Sequence, residues 1–290
     1  METVFDSEQV LARRRRALAR PVEGADFLMR QAAEDLALRL STTGRTFQRA
    51  GLLHCITPHA HDVLEGSGKV RSLVSVEADP AFPAFAGDTR QAGPETVGLE
   101  PQSLDLAVSL LTLQDVNDTP GMLAQIRKSL KPDGLFLGAM LGTGTLAELR
   151  ESLLAAETEV SGGAAPRLHP LADVRAAGAL LQRAGFALPV TDFETVTVRY
   201  ANALSLMHDL RAMAATNALH RRSRKPLRRA VLERAVEVYA ERFSDPDGRI
   251  RATFSIVWLS GWAPDASQQK PLKPGSASHS LASALNRTPE

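Results

Sequence analysis

The sequence predicts an α/β protein built on a doubly wound sheet, and three observations support this fold class. Short apolar segments without clean alternation recur in the first half, which is typical of strands covered on both faces. Helical segments separate several of them, and such alternation indicates a sheet with helices on either side. The composition, 44% hydrophobic and 23% charged over 290 residues, is that of a globular protein with a sizeable core.

The first half begins with a predicted helix over residues 25–40, whose apolar positions follow one helical face. The candidate strands that follow are 50–53, 72–76, 104–110 and 135–140. Residues 120–130 form the predicted helix before the last of these strands. Proline and glycine in 131–134 end this helix and turn the chain into the next strand.

The second half contains four predicted helices and two predicted strands. The helices are 146–159, 171–184, 201–218 and 226–243. Pro226 suits the first turn of the last helix. Residues 190–200 are rich in β-branched side chains, and residues 250–258 alternate between apolar and polar, so both segments favour strands. The tail from Ala263 is rich in serine, proline and lysine, and we expect it to be mobile or to pack only along a surface.

Charge, cysteine content and hydropathy exclude several classes of protein. The formal net charge of +1 gives no general attraction to nucleic acid or to anionic membranes. Cys55 is the only cysteine, which excludes an internal disulfide and a cysteine-based zinc site. The longest apolar stretch, residues 135–141, is far shorter than the roughly 20 residues of a membrane-spanning helix.

The amino terminus gives no targeting signal by its composition. Acidic residues at Glu2, Asp6 and Glu8 accompany the arginine run at 13–16, and mitochondrial presequences are poor in acids. Arginine outnumbers lysine and alanine is abundant, which is typical of a GC-rich bacterial genome. We therefore expect a bacterial, cytoplasmic protein.

Two groups of motifs carry a family resemblance. Residues 104–118, followed by Leu130-Lys-Pro-Asp-Gly134, resemble the middle of a class I S-adenosylmethionine (SAM)-dependent methyltransferase. A second group resembles the complex I assembly factor 5 (BioC-like) family. Its segments are Gly138-Ala-Met-Leu-Gly-Thr-Gly-Thr-Leu-Ala-Glu-Leu-Arg150, Ala156-Glu-Thr-Glu159, Lys273-Pro-Gly-Ser-Ala-Ser278 and Val4-Phe-Asp6.

The resemblance implies a Rossmann-like, seven-stranded, mostly parallel sheet with an antiparallel last strand and a helical cap inserted before it. The segments that it implies are an N-terminal arm (1–24), a methyltransferase-like core (25–200), a helical insertion (201–248), the last core strand (249–262) and a flexible tail (263–290). It also implies relatives that are methyltransferases. Mitochondrial members are associated with complex I assembly through arginine hydroxylation on an iron–sulfur subunit.

The turn after the first strand departs from the family pattern D-x-G-x-G-x-G. Leu52 occupies the acidic position, and His54, Ile56 and Pro58 occupy the glycine positions. Small residues at this turn let the backbone approach the cofactor, and Pro58 also lacks a backbone donor. The sequence therefore predicts a conserved fold with weak or lost SAM binding.

Cofactor contacts are assigned by resemblance, residue by residue. They are His54, Cys55, Glu77, Leu110 and Leu111. Glu77 holds the position of the acid that accepts hydrogen bonds from the ribose hydroxyls, and the alternative is a solvent-facing carboxylate at a strand end. Asp88 and Glu95 are candidates for the adenine contact, although the spacing suits neither well.

Residues 142–145 precede a predicted helix and have two compatible interpretations. Their amide groups can hold an anion, or Thr145 can cap the helix. On that helix, Glu148, Arg150 and Glu157 are candidates to line an acceptor pocket, where Arg150 suits an acidic group and the carboxylates suit an arginine side chain. The alternative is a set of exposed helix-surface partners.

A metal site is a weaker hypothesis for the residues around Cys55. His59, His61 and Asp62 are residue types of the two-histidine, one-carboxylate iron site. The alternative is a set of polar residues in a loop that has lost its ligand. We favour this alternative and predict no metal ligand.

The strongest local charge feature is a basic run that we expect to bind an acidic protein partner, such as a respiratory complex subunit, or to give at most peripheral membrane association. Its residues are Arg221, Arg222, Arg224, Lys225, Arg228 and Arg229. No aromatic residues interleave with them, which argues against single-stranded nucleic acid. The alternative is the solvated start of a helix.

Two functional hypotheses follow. The first is a SAM-methyltransferase-family protein with weak or lost SAM binding that acts in complex I assembly on a protein subunit. The second is an active SAM-dependent methyltransferase on a small-molecule or protein acceptor. No residue is assigned as catalytic, and the turn at 52–58 is the feature that distinguishes the two hypotheses.

Overall fold

The computed structural model describes residues 3–269 and residue 276. The strands are β1 (Ala50–Leu53), β2 (Leu73–Glu77), β3 (Asp88–Gln91), β4 (Leu104–Leu110), β5 (Leu130–Leu141), β6 (Ala187–Tyr200) and β7 (Ile250–Trp262). The helices are α1 (Ser7–Ala19), α2 (Phe27–Thr42), α3 (His59–Gly66), α4 (Thr119–Ser129), α5 (Ala147–Ser161), α6 (Val174–Arg183), α7 (Ala203–Ala212) and α8 (Arg229–Phe243). Of the predicted tail, residues 270–275 and 277–290, which include most of the 273–278 segment, lie outside the described residues.

All seven strands form one sheet in the order β3-β2-β1-β4-β5-β7-β6. Neighbouring strands among β1 to β5 are parallel, and β7 is antiparallel to both β5 and β6. This arrangement confirms the Rossmann-like fold predicted from the sequence. Strand β3 was not predicted, because it is a short polar edge strand with no buried residue.

Helices cover both faces of the sheet and bury two hydrophobic cores. Helices α2, α3, α5, α7 and α8 pack on one face, and α4 and α6 pack on the other. Strand β7 serves both cores, because alternate side chains point to opposite faces: Phe254 and Trp258 lie in the first core, and Val257 and Leu259 in the second. Burial on both faces explains the strand's continuous apolar character near its end.

The helices α7 and α8 lie between β6 and β7, which confirms the predicted cap insertion. Helix α7 ends at Ala212, well before the predicted residue 218, and Ala214 follows with a left-handed φ of 62°. Helix α8 begins only at Arg229, so Pro226 lies in the preceding coil and not in a first helical turn. Among the described residues, no helix combines the length and apolarity needed to cross a membrane.

The N-terminal segment is ordered as helix α1, which the sequence pattern did not predict. Asp6 caps this helix by accepting from the Gln9 N–H. Asn117 Oδ1 accepts hydrogen bonds of 2.8 Å from the N–H groups of both Val4 and Phe5. The segment is therefore attached to the core at its start, and it extends over the end of the sheet.

Candidate functional site

The carboxyl ends of β1, β2, β4 and β5 meet at the edge where open α/β sheets bind ligands. His54 follows β1, Glu77 ends β2 and Leu111 follows β4. His54 and Leu111 have left-handed φ values of 58° and 52°, a conformation that favours glycine. The predicted cofactor residues are thus brought to one edge, where two non-glycine residues adopt turn conformations.

His54 fills the space that a glycine would leave open. Its side chain is 4% exposed, and Nε2 lies 3.1 Å from the Thr96 carbonyl oxygen, while Nδ1 has no partner among the described residues. Burial, together with the positive charge of Arg14, lowers the pKa of His54 to about 4. The imidazole is therefore neutral near pH 7, and its Nε2–H donates to Thr96.

Cys55 is packed in the first core and its thiol is unreactive. Its side chain is buried beside α2 and α3 residues, with Sγ 3.8 Å from the Leu53 carbonyl oxygen. Burial raises the pKa of the thiol to about 12. A thiol that stays protonated does not act as a nucleophile or a metal ligand.

Glu77 is sealed from solvent. It is 2% exposed, and neither carboxylate oxygen has a hydrogen-bond partner among the described residues. Burial raises its pKa to about 8, and the charge of Arg14 offsets part of this effect. The solvent-facing alternative for Glu77 is therefore wrong, because the side chain points into the protein at the covered end of β2.

Helix α1 supplies the cover over this edge. Arg14 is 7% exposed and its Nη2 lies 3.3 Å from Asp115 Oδ2. Between Arg14, Val10, His54 and Met122 only about 10 Å³ of space remains. That volume holds at most one water molecule.

The residues at this edge do not fit SAM in the described conformation. A ribose would have to reach the Glu77 carboxylate, which lines neither the residual space nor the larger cavity beside it. Leu110 is also buried in the core, and of the five predicted cofactor residues only Leu111 lines the larger cavity. The closed arrangement leaves the Glu77 carboxyl at the end of β2 without a hydrogen-bond partner among the described residues.

A cavity of about 980 Å³ lies beside the sealed edge. The turn after β1, helices α1, α5 and α7, and the coil around 167–171 contribute to its wall. Ile56 and Pro58, which replace family glycines, face this cavity and not the sealed site. Its size is in the range of small-molecule binding sites.

Asp115, His169 and Arg14 form a polar cluster on the cavity wall. His169 Nδ1 lies 3.1 Å from Asp115 Oδ1, and Nε2 accepts from the Ala218 N–H at 3.3 Å, so Nδ1 carries the proton. Burial raises the pKa of Asp115, but the hydrogen bond from His169 and the charge of Arg14 outweigh it and hold the pKa below its ordinary value. No sequence motif indicates His169, which is far from Asp115 in the chain.

Thr145 does not cap the helix that follows it. Its Oγ1 accepts from the Ser255 N–H at 3.0 Å and donates to the Ser255 carbonyl at 3.1 Å. Leu146 is the residue before α5, with a φ of 53°, and no side chain caps the helix. The capping interpretation is therefore wrong, because the Thr145 hydroxyl is hydrogen-bonded to Ser255 on β7. Thr145 also lines the cavity.

The candidate acceptor residues on α5 separate into two groups. Glu148 accepts from the N–H and hydroxyl of Thr253, and Glu157 accepts from Ala165 N–H and pairs with Arg167. Neither glutamate lines the cavity, which corrects the expectation of an acceptor role. Arg150 does line it, with Nη2 donating to the His169 carbonyl at 3.2 Å.

The histidines after β1 do not converge. His59 Nε2 lies 2.6 Å from Asp26, and His61 Nδ1 lies 3.2 Å from Asp62. In the described part of the chain, no group of three or more histidine, cysteine or acidic side chains is placed to hold a metal ion.

The basic run lies in coil before α8, so the helix-start alternative is wrong for most of it. Arg222 and Arg224 pair with Asp6, Arg228 donates to the Ser161 hydroxyl, and Arg229 pairs with Glu233. Arg222 is nearly buried, whereas Arg224 is 67% exposed at its side chain. Part of the run therefore secures α1, and part faces solvent.

Comparisons with known proteins identify the fold and the family. Residues 58–138 match the family model of a methyltransferase domain. The YcgJ protein from Bacillus subtilis has a similar structure, with a TM-score of 0.54 at 14% identity over 80% of this chain and 99% of that one. At that identity the likeness shows a shared fold alone.

Two curated relatives show a closer relationship. The arginine-hydroxylase NDUFAF5 of Danio rerio is 36% identical over 262 residues, which cover 89% of this chain and 81% of that protein. The human protein of the same name is 41% identical over 223 residues, 77% of this chain and 60% of that protein. Across the four NDUFAF5 relatives other than the Danio rerio protein, this chain spans from 41% to 65% of their length.

These relatives also correct the expected location. All five NDUFAF5 relatives carry a mitochondrial designation, which points to a mitochondrial protein and contradicts the bacterial, cytoplasmic expectation. The methyltransferase fold and the extent of identity lead to one conclusion: the chain belongs to the NDUFAF5 family of class I methyltransferase-fold proteins.

Proposed function

We propose that the protein acts in the assembly of respiratory complex I, on a protein subunit, and that it does so without holding SAM in the usual class I pose. The observation that carries this proposal is the sealed Glu77, whose carboxylate no ribose can reach. The NDUFAF5 relatives are named arginine-hydroxylases, which supports the idea that the protein acts on an arginine side chain of the subunit.

Opening the cofactor edge would be costly. SAM would have to displace Arg14, which separates it from Asp115 and exposes the buried side of α1. Breaking this largely buried ion pair leaves Asp115 with only His169 as partner, at a cost of about 2–4 kcal/mol. Binding energy spent on this rearrangement lowers the apparent affinity for SAM.

The exposed part of the basic run supports a protein partner with acidic side chains. Arg224 and Lys225 project from coil beside the attachment point of α1. Exposed guanidinium and ammonium groups attract carboxylates and speed association more than they strengthen the final complex. The partner would thus be guided to the side of the protein where the arm and the cap meet.

Active SAM-dependent methyl transfer remains the second candidate, and the retained Glu77 favours it. This carboxyl stands at the end of β2, where the family's ribose acid is expected, and has no structural partner. If α1 moved away, Glu77 would again face the ligand edge.

Complementation separates the two candidates. Human cells that lack their own NDUFAF5 would receive this chain behind a mitochondrial presequence, and assembled complex I would be measured on native gels. The proposal expects equal rescue by the wild-type chain and by Glu77→Gln, which keeps the neutral form of the side chain. Rescue by wild type but not by an equally abundant Glu77→Gln protein would support SAM-dependent catalysis, and no rescue by either would overturn the assembly role.

A further inference from the structure

The 980 Å³ cavity has a mainly apolar wall. Leu146 lies just before helix α5, which itself contributes Leu149 and Leu153, and helix α7 contributes Met207 and Leu210. Such a wall favours a ligand with an extended apolar body, because each methylene removed from water raises affinity by about fourfold.

Most charges on this wall neutralise one another. Three lining arginines have carboxylate partners: Arg14 pairs with Asp115, Arg30 with Asp26, and Arg167 with Glu157. These pairs leave no net charge to recognise a ligand.

Two lining arginines, Arg150 and Arg211, have no carboxylate partner within the part of the chain that the structure describes. Glu23 is the one lining carboxylate there without a cationic partner. The uncompensated charge on the wall is therefore positive. Guanidinium groups remain charged at any physiological pH and bind carboxylates through paired hydrogen bonds.

We infer that this cavity binds an anionic amphiphile, a molecule with an alkyl body and a carboxylate head, and that Arg150 and Arg211 contact the head. The apolar wall would contact the alkyl chain of the ligand. The two guanidinium groups without a carboxylate partner favour a head group with a negative charge. The inference does not rest on the complex I role, because it concerns the open cavity and uses no partner protein and no SAM.

Calorimetric titration with dodecanoate, below its micelle concentration, tests the inference on the 290-residue chain. Methyl dodecanoate keeps the chain and removes the charge, and acetate keeps the charge and removes the chain. We expect saturable binding of dodecanoate, at least tenfold weaker binding of the ester, and no binding of acetate, because a hydrogen bond to a charged group supplies roughly that factor.

Variants locate the site. Arg150→Ala/Arg211→Ala should weaken dodecanoate binding at least tenfold, whereas Arg175→Ala/Arg183→Ala, which removes two exposed arginines outside the cavity wall, should leave it unchanged. Leu153→Trp should weaken binding by narrowing the apolar part of the cavity, with thermal unfolding used to confirm that it folds. No dodecanoate binding, equal binding of the ester, or equal losses in both double variants would overturn the inference.

Discussion

Arg14 on α1 and Asp115 after β4 are joined at 3.3 Å across the edge where the family's cofactor would lie. The contact connects the N-terminal helix to the core at the point where Glu77 is sealed, and His169 holds the other oxygen of Asp115. One ion pair thus fixes the helix that closes the site and orients the histidine that faces the open cavity.

Replacing Arg14 should destabilise the protein. Arg14→Ala leaves the partly buried Asp115 with only His169 as partner, and we expect the free energy of unfolding to fall by about 2–4 kcal/mol in urea titrations. Arg16→Ala is the matched control, because Arg16 is exposed on the same helix, and its effect should stay within about 0.5 kcal/mol. Equal effects of the two substitutions would contradict the proposed role of the pair.

The buried carboxyl of Glu77 should make stability depend on pH. Its folded pKa of about 8 lies above the ordinary value of 4.5, so the folded state binds the proton more tightly than the unfolded state does. The stabilisation is fully present below about pH 4.5 and is lost as the pH rises through 8, by up to about 5 kcal/mol. Comparison of wild type with Glu77→Gln in urea at pH 5 and pH 8.5 measures this loss, which should be absent from the variant. An identical pH dependence in both proteins would show that Glu77 does not titrate as described.

Glu148 should prove structural and not acceptor-binding. It accepts two hydrogen bonds from Thr253, so Glu148→Ala should lower the free energy of unfolding by about 1–3 kcal/mol. Glu151 lies on the same helix as Glu148, and Glu151→Ala removes a surface ion pair with Arg242 of α8, which should cost less than about 1 kcal/mol. A loss no larger for Glu148→Ala than for the control would return Glu148 to the candidate acceptor residues.

The attachment of α1 should determine how fast trypsin cleaves this helix. Arg222 pairs with Asp6 at the start of the helix, so Arg222→Ala should speed cleavage within 13–16 by about tenfold, as local opening becomes easier. Arg229→Ala, which removes an exposed helix pair with Glu233, serves as the control. Unchanged cleavage in Arg222→Ala would show that the Arg222–Asp6 pair does not hold α1 in place.

The sheet was largely predictable, because buried strands appear in the sequence as short apolar segments. The strand order and the cap followed from the family motifs. Strand β3 was missed since an exposed polar edge strand has no such signature. Helix α1 was missed because its arginine run hides the few apolar contacts, notably Val10 and Leu11.

The candidate site was only partly predictable. The replacement of family glycines by His54 and Pro58 was evident from the sequence. In the structure, His54 contacts the Thr96 carbonyl and Pro58 lines the open cavity. The sealing of Glu77 was not readable, because it depends on α1, and the contact of His169 with Asp115 joins residues on different segments that no local pattern connects.

Titration of the purified protein with SAM, and in parallel with S-adenosylhomocysteine, tests the closed cofactor edge most directly. An established class I methyltransferase under the same conditions serves as the positive control. Our account predicts no saturable heat from either ligand at concentrations up to about 1 mM. Micromolar binding to the wild-type chain that Glu77→Ala abolishes would contradict it, and would show that the α1 cover opens at little cost.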